Sequence, residues 1–148
     1  MTMSRTAVQI LEFEEGWRES PYYCSEGYPT VGYGFKIGDK SAPLPVFTLP
    51  QAAGTAWLQE LVGSLAWDLR DRMGSIKLND RRAVIISMCY QLGINGCFAF
   101  RKMWEAIDRE DWSEAANQML DSKWARQTPA RAHRHATVME TGSIVGVY

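Results

Sequence analysis

Cysteine is scarce in this 148-residue sequence: Cys24, Cys89 and Cys97 are odd in number and form no Cys-x-x-Cys pair. Neither a disulfide framework nor a thiolate zinc site is therefore expected, and the thiols read as reduced, as in a protein made in a cytoplasm. Long apolar runs are missing too. None approaches the ~20 residues of a membrane span. The opening stretch MTMSRTAVQILEFEEGW holds one arginine and no apolar core of the kind a signal peptide needs. Charge of one sign is also lacking. The net charge is −1, with 6 basic and 9 acidic side chains in residues 1–74 and 10 basic and 8 acidic in 75–148. With no dense basic stripe and no Lys/Arg tail, nucleic acid is not an expected partner. Internal repeats and low-complexity segments are absent as well.

What remains is an ordinary globule, 46% hydrophobic and 22% charged, whose length suits one domain or two small lobes sharing a core. Six tryptophans are many for this length. Most are expected in packing, with a minority free to stack on sugar rings or line a groove.

The hydrophobic pattern predicts a helix over about residues 4–14, capped by Ser4 and stopped by Gly16. SPYYCSEGYPTVGYGF alternates and is rich in Tyr, Thr and Val, which predicts a β-hairpin turning at Gly27, with Gly32 and Gly34 permitting close backbone approach. KIGDKSAPLPV reads as a loop, and a third short strand is expected near Val46-Phe47. Thr48-Leu-Pro-Gln51 has the form of a capping box opening one long helix to about Met73, weakened at Gly54 and Gly63. Asn79 or Asp80 is expected to cap RRAVIISMCYQLG, apolar almost all round and so a buried central helix. FAFRKMWEAIDRE and DWSEAANQMLDSKWA each read as one helix, and Thr128 as the cap of PARAHRHATVMETG, with Pro129 in its first turn and Gly142 past its end. The fold class is α+β, mostly helical. A small β lobe spans about 15–47 and a connecting helix 48–73. The larger helical lobe takes 74–148 with the N-terminal helix. A cleft between lobes is the expected site.

Chemistry concentrates in EEGWRESPYYCSEGYPTVGYGF, where Glu15, eight residues, Cys24, five residues and Thr30 pass from helix into hairpin. Cleaving a glycosidic bond needs a proton for the leaving oxygen and, on the other face of the sugar, a group that activates or replaces water. Glu15 suits the acid. Thr30 can orient a water, donating and accepting at once. Cys24 can serve as base or nucleophile only as thiolate, and a free thiol has a pKa of about 8.5. Spacing alone leaves Glu12, Glu14 and Glu19 as competing carboxylates. It also leaves the plain alternatives of a solvated glutamate and a cysteine that is simply a small hydrophobe.

This stretch resembles the catalytic segment of the phage lysozyme family, the endolysins of the T-even phage type, whose pattern is Glu, eight residues, Asp or Cys, five residues, Thr, then Gly-x-Gly. The likeness continues through RRAVIISMCYQLG, DWSEAANQMLDSKWARQTPARAHR and ETG. It implies a two-lobed lysozyme-like fold and hydrolysis of the β-1,4 bond between N-acetylmuramic acid and N-acetylglucosamine in peptidoglycan, causing host lysis. It implies Glu15 as proton donor with Cys24 and Thr30 opposite, and Tyr90 and Gln91 lining the cleft. Arg131 is implied to pair with Glu15, and Arg134 to tie the helical lobe to Glu14. The sequence departs from relatives at Cys24, where many carry Asp, and at Phe35, where a polar residue is common.

Bacterial peptidoglycan is thus the expected partner, with no cofactor, no metal and no second subunit. The resemblance further implies accumulation in the host cytoplasm and release to the cell wall through a holin. Three other readings stay open. One is a lytic transglycosylase using Glu15 alone, and another a cell-wall-binding module without turnover. The third is a peptidase pairing Cys24 with His133 or His135, disfavoured because two residues two apart on a helix point to different faces.

Overall fold

The computed structural model describes residues 2–148, and these form seven helices and a three-stranded antiparallel sheet. The architecture is α+β and mostly helical, as the pattern predicts. Helix α1 runs Met3–Glu15 and is capped by Thr2, whose hydroxyl accepts from the Arg5 N–H, so the cap lies two residues before the expected Ser4. Gly16 ends it at φ 67°, ψ 169°, a conformation that glycine adopts without steric cost.

Strands β1 (Arg18–Tyr23), β2 (Pro29–Gly32) and β3 (Phe35–Lys36) follow in spatial order β1-β2-β3. The hairpin turns as expected around Gly27, at φ 86°, with its N–H bonded to the Cys24 carbonyl. The third strand is Phe35–Lys36, pairing Val31 with Phe35, and not Val46-Phe47. Val46 is fully exposed and Phe47 41% exposed, so neither has the half-buried surface that holds a strand.

Helix α2 (Gln51–Leu69) is continuous through Gly54 and Gly63. Its N-cap position is Pro50, without a side-chain cap, so the expected Thr48 box does not form. Gly54 has a packing role: a Cβ there would lie 2.3 Å from the Trp17 ring. Helix α3 (Asn79–Phe98) starts after Leu78, with Asn79 already in its first turn. The expected Asp80 cap instead receives the Ile144 N–H. The helix kinks at Gly93 (φ 77°), where the sequence pattern ends it. Residues 83–89 are all buried, and α1, α2 and α7 pack on this helix.

Helices α4 (Arg101–Asp108), α5 (Trp112–Leu120), α6 (Lys123–Gln127) and α7 (Pro129–Thr141) complete the fold. The expected second helix opens three residues late, Phe98 belonging to α3. The expected single helix from Asp111 to Ala125 is two. Asp121 leaves helical geometry, and the Ser122 hydroxyl accepts the Ala125 N–H, starting α6 afresh. Pro129 and Gly142 bound α7 as expected, Gly142 in the left-handed region. At Thr128 the hydroxyl donates to the Trp124 carbonyl rather than capping α7. Among the described residues no single helix is long and apolar enough to cross a membrane.

The sheet meets the helices through aromatic rings. Trp17 lies 4.8 Å from Tyr33, and Tyr33 6.3 Å from Phe35, between ring centroids. The Tyr90 hydroxyl on α3 donates to the Tyr33 carbonyl at 2.6 Å, and Gln51 on α2 donates to the Tyr33 hydroxyl. These contacts place the sheet beside the end of α1.

Candidate active site

Glu14 and Glu15 close α1, where the carbonyl ends of the helix disfavour negative charge and no basic residue of the last turn offsets it. Both carboxylates take their partners from α7, more than a hundred residues away. Arg131 donates from Nη1 to Glu15 Oε1 at 3.2 Å. Arg134 grips Glu14 with two bonds, 3.1 Å from Nε to Oε2 and 2.6 Å from Nη2 to Oε1. Both pairings implied by the family resemblance are present.

The two glutamates differ in exposure. The Glu14 side chain is 2% exposed and the Glu15 side chain 19%. Glu14 is committed to Arg134 and to the Tyr148 hydroxyl, which donates to Oε2 at 2.6 Å. Glu12 and Glu19 are exposed. Among the four carboxylates that spacing leaves open, Glu15 alone is half-buried with an oxygen unclaimed. Its Oε2 faces Gly34 (φ 75°), where a Cβ would stand 2.9 Å from it. Glycine is required at this position both by its backbone and by the carboxylate beside it.

Cys24 and Thr30 come together at the mouth of the hairpin. Thr30 is buried beside Cys24, and its hydroxyl donates to the Tyr28 carbonyl at 2.8 Å. A hydroxyl has one hydrogen, so Thr30 must turn from Tyr28 to donate to the Cys24 sulfur. Burial opposes ionisation of Cys24. The backbone N–H groups of Tyr28 and Glu26 and the Thr30 hydroxyl outweigh it, so its pKa lies below the ordinary value. No cation is needed for that shift. Tyr22, paired with Thr30 across the strands, has its phenol raised above the ordinary value, first by burial, with the Arg18 charge opposing and the charges of Glu15 and Cys24 adding to the rise.

Tyr90 and Gln91 line a cleft of about 610 Å³ whose wall includes Gly34 but not Glu15, Cys24 or Thr30. Burial first, then the Glu15 charge, raises the Tyr90 phenol above its ordinary value, so it stays neutral and donates to Tyr33. Gln91 is exposed, and its Oε1 accepts from the buried Trp124 Nε1 at 2.8 Å. That bond fixes the amide and leaves its NH₂ free to donate into the cleft.

Three participants carry no local sequence signal: Ser87, His135 and Tyr148. Arg131 Nη2 donates to the Ser87 carbonyl and hydroxyl, both at 3.1 Å. Ser87 Oγ lies 2.8 Å from His135 Nε2, and His135 Nδ1 lies 2.8 Å from the Tyr148 hydroxyl. The tautomer follows by elimination. Arg131 can only donate, and Tyr148 gives its hydrogen to Glu14, so Ser87 donates to Nε2 and Nδ1 carries the imidazole proton. The bonds run from Glu15 through Arg131, Ser87, His135 and Tyr148 to Glu14, a ring that closes on adjacent residues of α1. His135 is thus fully buried and engaged at both nitrogens, which removes it as a base for Cys24, while His133 is exposed.

Burial, reinforced by the charges of Arg131 and Arg134, holds the His135 imidazole well below its ordinary value. The unfolded chain takes up this proton near pH 6.5 and the native chain does not. Below that pH the unfolded state binds more protons, so stability falls as pH drops, by up to about 1.4 kcal/mol per unit. Urea unfolding at pH 7.5 and 5.5 should show the loss, and His135→Gln should flatten it. An unchanged pH slope in the variant would assign the effect elsewhere.

The sequence model of the family described as Phage lysozyme matches residues 12–136. Probable T4-type lysozyme 1 of Dictyostelium discoideum is 28% identical over 159 residues, covering 91% of this chain and 94% of that protein. Two longer phage proteins match through one part of their length. The Pre-baseplate central spike protein Gp5 of Enterobacteria phage T4 is 27% identical over 92% of this chain and 28% of its own. The Peptidoglycan hydrolase gp36 of Pseudomonas phage phiKMV is 27% identical over 94% of this chain and 16% of its own.

Proposed function

The chain belongs to the phage lysozyme family, and on that premise we propose that it is an endolysin cleaving peptidoglycan at the β-1,4 bond between N-acetylmuramic acid and N-acetylglucosamine. The observation that carries this reading is the unequal setting of the two Glu15 oxygens. Oε1 is held by Arg131 at 3.2 Å, and Oε2 faces Gly34 at the cleft. Oε2 is the oxygen assigned the catalytic proton.

In the forward step that proton passes to the bridging oxygen as the C1–O bond breaks, leaving Glu15 ionised. Water adds to C1 from the opposite face and gives its proton to the Cys24 thiolate, with Thr30 bonded to the sulfur. Proton return from the thiol to Glu15 through solvent completes the cycle. Tyr90 forms part of the cleft wall, Gln91 donates its amide to a sugar substituent, and Arg131 holds Glu15 in register. Synthesis in a host cytoplasm, release through a holin and action as a monomer belong to the same proposal.

The test is mass spectrometry of muropeptides released from purified sacculi. Products heavier by one water, with reducing N-acetylmuramic acid ends, are expected. Anhydro ends would transfer the chain to the lytic transglycosylases, and binding without release would make it a wall-binding module. In the same assay Cys24→Ser is expected to slow release on the order of 10²-fold, the scale of a lost general base. Full activity of that variant would leave Thr30 and water to act without the thiol.

A further inference from the structure

Phe35 of β3 has an aromatic partner in the folded chain. Its ring stacks on Trp57 of α2, with centroids 4.2 Å apart and planes 25° from parallel. Phe35 is 3% exposed and Trp57 37%. One face of the indole is therefore backed by a buried ring, while the remainder opens to solvent.

The backing is rigid. A Cβ at Gly32 would stand 2.6 Å from the Phe35 ring, so the strand backbone lies flat against it. Phe35 is in turn the inner end of the edge-on and tilted ring contacts through Tyr33 to Trp17. Trp57 is the exposed terminus of this aromatic row. Fixing its orientation before a ligand arrives removes most of the entropic cost of ordering it on binding.

Trp57, Phe35 and Gly34 line the same cleft as Tyr90 and Gln91, and Glu15 Oε2 lies against Gly34. Lys36 is the one charged residue on its wall. A flat aromatic face in a groove that shares Gly34 with the acid fits a ligand that has flat C–H faces and hydroxyl or amide edges. The electron-rich ring face attracts the polarised C–H bonds of such a ligand.

We propose that Trp57, held by Phe35, is a stacking platform for a pyranose of the glycan strand, one that binds a sugar beyond the bond Glu15 cleaves. The inference rests on the muramidase reading for the identity of the strand. It adds a binding position that determines affinity rather than chemistry. The occupant is the sugar ring itself and not the peptide attached to it.

The experiment uses peptide-free glycan strands, prepared by stripping stem peptides from sacculi with an amidase, and calorimetric binding to a Glu15→Gln background. Trp57→Ala and Trp57→Leu are expected to weaken binding about tenfold, and Trp57→Phe to keep it within about threefold. Leucine preserves bulk against Phe35 without offering a ring face, so it separates stacking from packing. Urea unfolding of each variant establishes that the folded protein is being titrated. In the Glu15-competent enzyme Trp57→Leu should raise KM with kcat nearly unchanged.

Unchanged affinity of Trp57→Leu for the strands would overturn the platform, as would a loss seen only with free stem peptide. The muramidase reading is scored separately, from reducing ends released by the wild-type enzyme. Binding through Trp57 without release would remove the hydrolase and keep the platform. Release with Trp57 irrelevant would do the reverse.

Discussion

Glu15→Gln is expected to give a folded protein that releases sugar from sacculi about 10²–10⁴-fold more slowly than wild type. The substitution is close to isosteric, and the amide oxygen can still accept from Arg131 Nη1, now 3.2 Å from Oε1. Arg131 also keeps both of its bonds to Ser87. What is lost is the proton at the position facing Gly34, where the amide NH₂ cannot act as an acid. Stability should change by no more than about 1–3 kcal/mol, the cost of replacing a charged acceptor by a neutral one. Reducing-end release from sacculi measures the rate, and urea unfolding measures the fold. Release within a few-fold of wild type would move the acid to another carboxyl. Glu14 would not be the next candidate, since its side chain is 2% exposed and fully engaged.

What the sequence made legible is local. Gly16 as the stop of α1 and Gly27 as the hairpin turn both follow from backbone needs that a few neighbouring residues settle. So do Pro129 and Gly142 as the bounds of α7. The break between α5 and α6 is local too, yet it turns on Ser122 offering its hydroxyl to Ala125 in a stretch whose apolar spacing continues unbroken. The third strand is two residues long, too short for any period, and the apolar pair Val46-Phe47 lies where nothing packs on it.

The site divides in the same way. Glu15, Cys24 and Thr30 stand on one short stretch, and their spacing alone brings them to notice. The bond from Arg131 to Glu15 spans 116 residues and was implied by family resemblance rather than by local pattern. Ser87, His135 and Tyr148 lie on three separate segments, and nothing short of the packed fold reveals that they join. Phe35 was legible as a departure. Its partner Trp57 was legible only as one more apolar residue on a helix.

The same packing makes the two members of the Glu14–Arg134 pair unequal, and Arg134→Met is expected to cost about 3–5 kcal/mol of stability. The Glu14 side chain is 2% exposed and the Arg134 side chain 30%. Removing the arginine strands a carboxylate where water cannot reach it, with the Tyr148 hydroxyl as its one remaining short donor and His135 Nδ1 3.8 Å away. The reverse change is milder. In Glu14→Gln the guanidinium turns to solvent over the Phe13 ring, 5.1 Å below it, and Tyr148 still finds an oxygen to accept its hydrogen. About 1–2 kcal/mol is expected there, the scale of losing charge-assisted bonds whose donor can rehydrate. Urea unfolding at pH 7.5 measures both. Methionine keeps the aliphatic length of arginine against the helix, so lost packing does not account for the difference. Equal losses in the two variants would mean that water reaches Glu14 in solution, and that the ring of bonds closing on α1 opens more readily than its geometry indicates.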